Sequence, residues 1–193
     1  HQNIQKSIAT VVTQVLVDKN DKAFSNPTKP IGSFYTEAEA QKHKADSGWV
    51  LKEDAGRGWR RVVASPQPLR IVEEDTIRLL LEKDVVVIAV GGGGIPVREN
   101  ENGDLEGCAA VIDKDLASCL LAKNLKADLF IISTGVDKVA VDFKKPTQRE
   151  LDRLTVAEAK KYLAEGQFPA GSMGPKVEAA IDFADEEIEA LAP

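Results

Sequence analysis

Three short stretches set a lysine beside glycine or turn-forming residues. They are Asn26-Pro27-Thr28-Lys29-Pro30-Ile31-Gly32, Val111-Ile112-Asp113-Lys114-Asp115-Leu116 and Gly171-Ser172-Met173-Gly174-Pro175-Lys176. Lys114 and Lys176 fall where helices are expected to begin. A lysine is locally disfavoured there, because the amino end of a helix carries partial positive charge. The same place suits an anion, and an added lysine turns it into a cradle for phosphate. Asp113 and Asp115 flank Lys114 and could hold it in place. Any one of these lysines alone reads more readily as a solvated side chain. Two of them, together with a run of four glycines, point to phosphate chemistry.

That run is Gly91-Gly92-Gly93-Gly94-Ile95-Pro96, and it follows Val85-Val86-Val87-Ile88-Ala89-Val90. Six apolar, mostly β-branched residues read as a strand buried on both faces. Residues without Cβ can take positive φ and bring their N–H groups close to an anion. The run is no P-loop, since no Gly-Lys-Ser/Thr follows. It is a poor dinucleotide fingerprint, because Pro96 stands where the third glycine belongs. A tight turn that merely packs is the plainer alternative.

The elements that must position these residues read as follows. Val11 to Val17 is a strand, and Asp18 to Gly32 a loop rich in turn formers. Thr36 and Glu39 form a capping box for a short helix ending near Gly48, with only alanines for an apolar side. Trp49–Glu53 and Trp59–Val63 form a hairpin. Residues 19–64 are therefore a small polar excursion from the main sheet, closed by Pro66 and Pro68. Glu73 to Lys83 is a helix with Ile77, Leu80 and Leu81 as its buried stripe. Arg98 to Gly107 is a polar loop. Asp113 opens a helix with Leu116, Cys119 and Leu120 on one face, and Leu129 to Ser133 is another buried strand. Val85 to Ser133 thus reads as a right-handed βαβ unit. Val139 to Phe143 is a short strand, and Thr155 and Glu158 cap a helix that stops at Gly166. The last helix begins near Pro175, with Val177, Ala180, Ile181, Ala184, Ile188 and Leu191 at helical spacing. Its closing acidic residues, Glu186, Glu187 and Glu189, have the wrong charge for a helix end.

Composition narrows the classes. Hydrophobic residues at 43% and charged residues at 29% describe a globular chain. A formal net charge of −6 argues against a general nucleic-acid binder. No apolar run approaches a membrane span. Ile8 to Val17, broken by Thr10, Thr13 and Gln14, does not read as a signal peptide. Cys108 and Cys119 have no metal spacing and fit a reduced, cytoplasmic protein. With His1 and His43 the only histidines, a zinc site or a histidine-based triad is not expected.

Taken together, GGGGIP, AVIDKDLAS, NPTKPIG, EDAGRGWRRVVASP and GSMGPKVEAAI resemble the carbamate kinases, within the amino-acid kinase family. The resemblance runs from about Thr13 to about Phe183. GGGGIP suggests only the wider family, whereas NPTKPIG and DAGRGWR are specific to the excursion. The resemblance implies an α/β fold, a three-layer αβα sandwich with a mainly parallel sheet and a small protruding subdomain. Residues 1–18 would be the first strand region, 19–64 a lid-like subdomain and 65–193 the nucleotide-binding domain. It implies phosphoryl transfer between ATP and carbamate, usually making ATP from carbamoyl phosphate in fermentative arginine catabolism. Lys114 and Lys176 match the lysines that neutralise the transferring group, and Asp115 the aspartate that orients them. Gly91, Gly92, Gly93 and Gly94 match the loop that meets the phosphate, and Lys29 a lysine over the acyl-phosphate. Thr134, Gly135, Val136 and Met173 match the nucleotide wall. The resemblance also implies Mg2+ travelling with ATP or ADP, no protein-held metal, and a homodimer that engages neither nucleic acid nor membrane. One departure stands out: the family's glycine-glycine-asparagine loop, about a hundred residues upstream, has no match here. Asp185 to Pro193 matches nothing. A truncated, non-catalytic nucleotide-binding remnant and another amino-acid kinase remain the alternatives.

Overall fold

The computed structural model describes residues 5–54, 56–169 and 171–190, with side chains described as far as residue 185. The chain divides into two compact units, residues 1–113 and 114–193.

In the first unit, β1 (Ile8–Thr10) pairs in parallel with β7 (Val86–Ile88), and β2 (Gln14–Val17) belongs to a different sheet. Of the strand expected over Val11–Val17, only Gln14–Val17 forms one, and residues 11–13 break it from β1. The break has a polar cause. Thr13 is buried, its Oγ1 donates to the Val11 carbonyl at 2.9 Å, and this local bond competes with the ladder. Around β2 the order is β6-β2-β8-β9, where β6 is Pro68–Ile71, β8 is Ile95–Glu99 and β9 is Leu105–Gly107. The β2–β8 pair is parallel, and its two flanking pairs are antiparallel. Val15, Val17, Ile71 and Val97 bury their side chains here. Residues 98–107, expected as a loop, form the β8–β9 hairpin. Asn100 makes its turn, because its Oδ1 accepts from the N–H groups of Asn102 and Asp104, both at 2.9 Å.

Two further readings change. Val86 is 42% and Ile88 53% exposed, so the strand ahead of the glycines is not buried on both faces. It pairs only with β1 among the described residues. In α2 (Glu74–Glu82), Ile77 is buried as expected but Leu81 is exposed. Apolar β-branched composition marks a residue that fits a pleated surface, and says nothing of whether a second layer covers it.

The excursion is a sheet of order β3-β5-β4, antiparallel throughout, with β3 Lys29–Tyr35, β4 Leu51–Glu53 and β5 Trp59–Val63. A single 3-10 turn over Lys22–Phe24 precedes it. Its helix α1 (Glu37–Ser47) has the expected capping box and ends on Gly48 at φ 63°. Only Ala40 of that helix is buried. Pro66 is buried, while Pro68 opens β6 rather than closing the excursion.

In the second unit, α3 (Lys114–Asn124) packs on α5 (Met173–Ala190). The buried Cys119 thiol donates to the Ala179 carbonyl at 3.2 Å, and Lys123 pairs with Asp182 at 2.9 Å. The helix α4 (Val156–Ala164), capped by Thr155 and Glu158, packs on α5 through Ala159, Phe168 and Val177. A small antiparallel pair joins β10 (Val139–Val141) to β11 (Arg149–Leu151). Residues 129–133 make no strand pairing, and Leu129 and Ile131 are 70% and 76% exposed. The expected βαβ unit over Val85–Ser133 is therefore absent, and the parallel pairs are β1–β7 and β2–β8 instead. Of the last helix's apolar stripe, Val177 is buried and Ala180 exposed. The side chains of Ile188, Glu186, Glu187 and Glu189 and all of Leu191 to Pro193 lie outside the described residues.

Candidate active site

In the first unit, the glycine turn is built against the break in the β1–β2 strand. Val90 sits in the left-handed region at φ 56° and ψ 28°, an unfavourable place for a β-branched residue. Its N–H donates to Thr13 Oγ1 at 2.9 Å, and the Thr13 carbonyl accepts from Ile95 N–H at 2.8 Å. Thr13 therefore grips both ends of the turn. Gly94 lies at φ 82° and ψ 169°, conformational space open essentially to glycine alone. A Cβ on Gly94 would run into Val15 Cγ2 and come within 3.3 Å of the Thr13 carbonyl. Around Gly91 and Gly92 a Cβ would meet nothing within 4 Å. The turn thus packs on one side and opens on the other at Gly91 and Gly92, while the Gly93 and Gly94 N–H groups donate within the turn to the Val90 and Gly91 carbonyls at 2.9 and 3.1 Å.

In the same unit, Lys29 opens β3 and its Nζ lies 2.6 Å from Asp113 Oδ2. Asp113 directly precedes α3 and is buried. Lys29 sits at the root of the excursion, opposite Val63 in the β3–β5 register, rather than at its tip.

In the second unit, Lys176 Nζ donates to Asp115 Oδ2 at 2.9 Å, and Lys114 Nζ approaches the same oxygen at 3.9 Å. Asp115 is buried on α3, Lys176 is largely covered, and Lys114 is exposed. One buried carboxylate thus bonds Lys176 directly and has Lys114 as a looser, exposed neighbour. Lys176 stands in the first turn of α5, where Pro175 is tolerated because that N–H has no helical partner. Gly174 makes the approach to this turn possible. Its N–H donates to the Pro169 carbonyl at 2.9 Å, and a Cβ would come within 3.1 Å of that oxygen.

Thr134, Gly135, Val136 and Met173 line one cavity of about 260 Å³, and Lys176 lies on its wall. Phe143, Gln167 and Phe168 are also among its lining residues. Sequence reasoning passed over these three, although Phe143 closes the expected strand at 139–143. Gln167 Oε1 accepts from Asp142 N–H at 2.8 Å and so fixes the turn that carries Phe143. The carboxylate of Asp142 is held below its ordinary value, chiefly by the Lys145 side chain and then by Thr147. A second, apolar cavity of about 350 Å³ shares Thr134, Met173 and Lys176 and runs between α4 and α5. Thr13 and Asp113 were also passed over as site residues. In the sequence Asp113 reads as a neighbour of Lys114 and the start of a helix, and its distant partner leaves no trace in local spacing.

Residues 6–191 match the family model described as "Amino acid kinase family". The chain belongs to the amino acid kinase family. Within that family it is 56% identical, over 94% of its length, to a carbamate kinase of Clostridium perfringens. It is equally 56% identical, over 95%, to the carbamate kinase-like protein YqeA of Escherichia coli. The solved structure of carbamate kinase from Giardia lamblia bound to AMP-PNP matches with TM-score 0.81 and 50% identity, covering 95% of this chain and 58% of that one. The chain spans 58% of the length of these two curated relatives as well. Its fold is that of the family, a mixed α/β arrangement with parallel strand pairs.

Proposed function

We propose that the protein transfers a phosphoryl group between carbamoyl phosphate and ADP, yielding ATP and carbamate, and catalyses the reverse. One observation carries this reading. Lys176 is at once 2.9 Å from the buried Asp115 and on the wall of the cavity formed by Thr134, Gly135, Val136 and Met173. A lysine so placed joins a nucleotide pocket to a charge-neutralising group. In the ATP-forming direction, a β-phosphate oxygen of ADP attacks phosphorus and the bond to the carbamate oxygen breaks. That chemistry asks for positioning and charge neutralisation more than for proton transfer.

In this reading Lys114 and Lys176 offset the charge on the transferring group, and Asp115 sets their direction. The glycine turn meets the phosphoryl oxygens through the N–H groups of Gly91 and Gly92, with Gly93 and Gly94 shaping it, and Lys29 faces the acyl end. Mg2+ enters with the nucleotide as part of the substrate. The excursion at 19–64 serves as a lid, residues 1–18 and 65–193 supply the main body, and the working form is a cytoplasmic homodimer in fermentative arginine breakdown. The test is a coupled assay of ATP formation from ADP and carbamoyl phosphate, on the protein at its full genetic length. ATP formation at enzymatic rates supports the reading, and its absence on folded protein overturns it.

The 58% coverage favours a second reading for these 193 residues alone: a piece that binds nucleotide without turnover. Calorimetric binding of ADP by the isolated chain, with no ATP formed, is the pattern it requires.

A further inference from the structure

We infer that Asp113 is the positioning residue for Lys29, holding its ammonium group in place for the acyl-phosphate end of the substrate. The inference rests on the phosphoryl-transfer reading and adds to it a residue that the motif comparison left without a role.

The geometry begins with the backbone. The return strand of the excursion ends at Val63, and Val63 and the next residue, Ala64, hold both partners. The Val63 carbonyl accepts from Thr28 N–H at 3.2 Å, one residue before Lys29. The Ala64 carbonyl accepts from Val111 N–H at 2.9 Å, two residues before Asp113, and Ala64 bridges Ala110 in parallel. Between Val111 and Asp113, Ile112 is 1% exposed and locks the stretch into the core. Pro27 and Pro30 restrict the backbone on either side of Lys29. Two short stretches, fixed to the adjacent residues Val63 and Ala64, therefore present Lys29 and Asp113 to each other at 2.6 Å.

Exposure shows which way the pair works. The Asp113 side chain is 9% exposed and that of Lys29 is 28%. The carboxylate is enclosed, while the lysine keeps an open flank. An ammonium group has three donors. One meets Asp113, and the others remain for an oxyanion approaching from the open side. Asp115 and Lys176 repeat the arrangement in the second unit, at 2.9 Å with side-chain exposures of 9% and 17%. A lysine held this way has given up its rotamer freedom before substrate arrives, so binding need not supply that ordering.

The test combines kinetics with amine chemistry on the protein at its full genetic length. Asp113→Asn keeps a side chain of the same shape and removes the charge. It should lower kcat/KM for carbamoyl phosphate about tenfold or more, as misplacement of a positioning group does, and leave the KM for ADP unchanged. In a Lys29→Ala background the same change should add almost nothing, because Asp113 acts through Lys29. Asp113→Glu should recover part of the loss. Equal losses in the two backgrounds would show a merely structural role and overturn the inference. A second readout needs no turnover. In the unmodified protein Lys29 should be acetylated by acetic anhydride more slowly than the exposed Lys42, and Asp113→Asn should bring Lys29 to the Lys42 rate. Acetyl phosphate should protect Lys29 only while Asp113 is present. Unchanged acetylation and protection in the variant would overturn the inference. If the unmodified protein forms no ATP, the kinase reading fails, and the acetylation result still decides for or against Asp113.

Discussion

Replacing Gly94 by alanine places one methyl group where the structure has no room and no tolerant backbone. The φ 82°, ψ 169° conformation costs an L-residue about 1–3 kcal/mol. The new Cβ also runs into Val15 Cγ2, and Val15 is fully buried at the centre of the β6-β2-β8 core. Overpacking of that kind adds about 1–3 kcal/mol. The two costs partly relieve each other if the turn shifts, so a loss of about 3 kcal/mol is the working figure. For a chain of this length that corresponds to a midpoint lowered by about 6–12 °C. Gly92→Ala has space but a φ of 66°, and should lose about 1–2 kcal/mol. Gly91→Ala has space and no positive φ. It should be neutral, or more stable by up to about 1 kcal/mol through the unfolded chain. Thermal melts followed by far-ultraviolet circular dichroism rank the three. Coincident melts for Gly94→Ala and Gly91→Ala would refute the account of the turn as packed on one side and open on the other.

Lys176→Ala should lower turnover in the ATP-forming assay by about a hundredfold or more, the scale of a single charge stabiliser. Lys42→Ala, an exposed change on α1, should leave turnover unaltered, and equal effects would misplace the site. The two capping glutamates titrate below the ordinary value of 4.5, chiefly because the N–H groups of Thr36 and Thr155 bind Glu39 and Glu158. Their pKa values are depressed in the folded state. The stability they contribute is therefore complete above pH 4.5 and is lost as pH falls through the folded-state values. Acid titration followed by amide exchange should show α1 and α4 loosening in that window, and Glu39→Gln should remove the pH dependence at α1. Burial pushes the Cys108 thiol above its ordinary value, with Arg98 opposing. Maleimide should label Cys108 more slowly at neutral pH than it labels free cysteine.

Local chemistry was legible in the sequence and long-range pairing was not. Both capping boxes, the β4–β5 hairpin and the αL glycine after α1 depend on contacts within a few residues, and a single sequence contains them. The Asp115–Lys176 pair was reached through a motif, since sixty-one positions separate its members. The Lys29–Asp113 pair was missed because eighty-four positions separate its members and no motif joins them. The strand over 129–133 failed for a different reason. Its composition suits a buried ladder, but pairing needs a partner at hydrogen-bond distance, and composition does not supply one. The division at Thr13 shows the opposite case, in which one hydroxyl decides against an otherwise continuous strand.

The aromatic side of the excursion has a consequence for spectroscopy. The protein has two tryptophans, and both lie on the excursion. Trp49 stacks on His43 with ring centroids 4.6 Å apart, and the Arg61 guanidinium lies 4.6 Å from its ring. Trp59 has the Lys44 ammonium 4.7 Å from its ring. Both indoles are thus held against polar or cationic side chains by the fold of this one small sheet, and their emission changes when those contacts are lost. Tryptophan emission, excited selectively, therefore observes the excursion and is blind to α3, α4 and α5. A denaturation curve recorded by emission measures when the excursion lets go, and one recorded by helical ellipticity measures the helices. Any gap between the two midpoints reads out directly how independently the excursion melts.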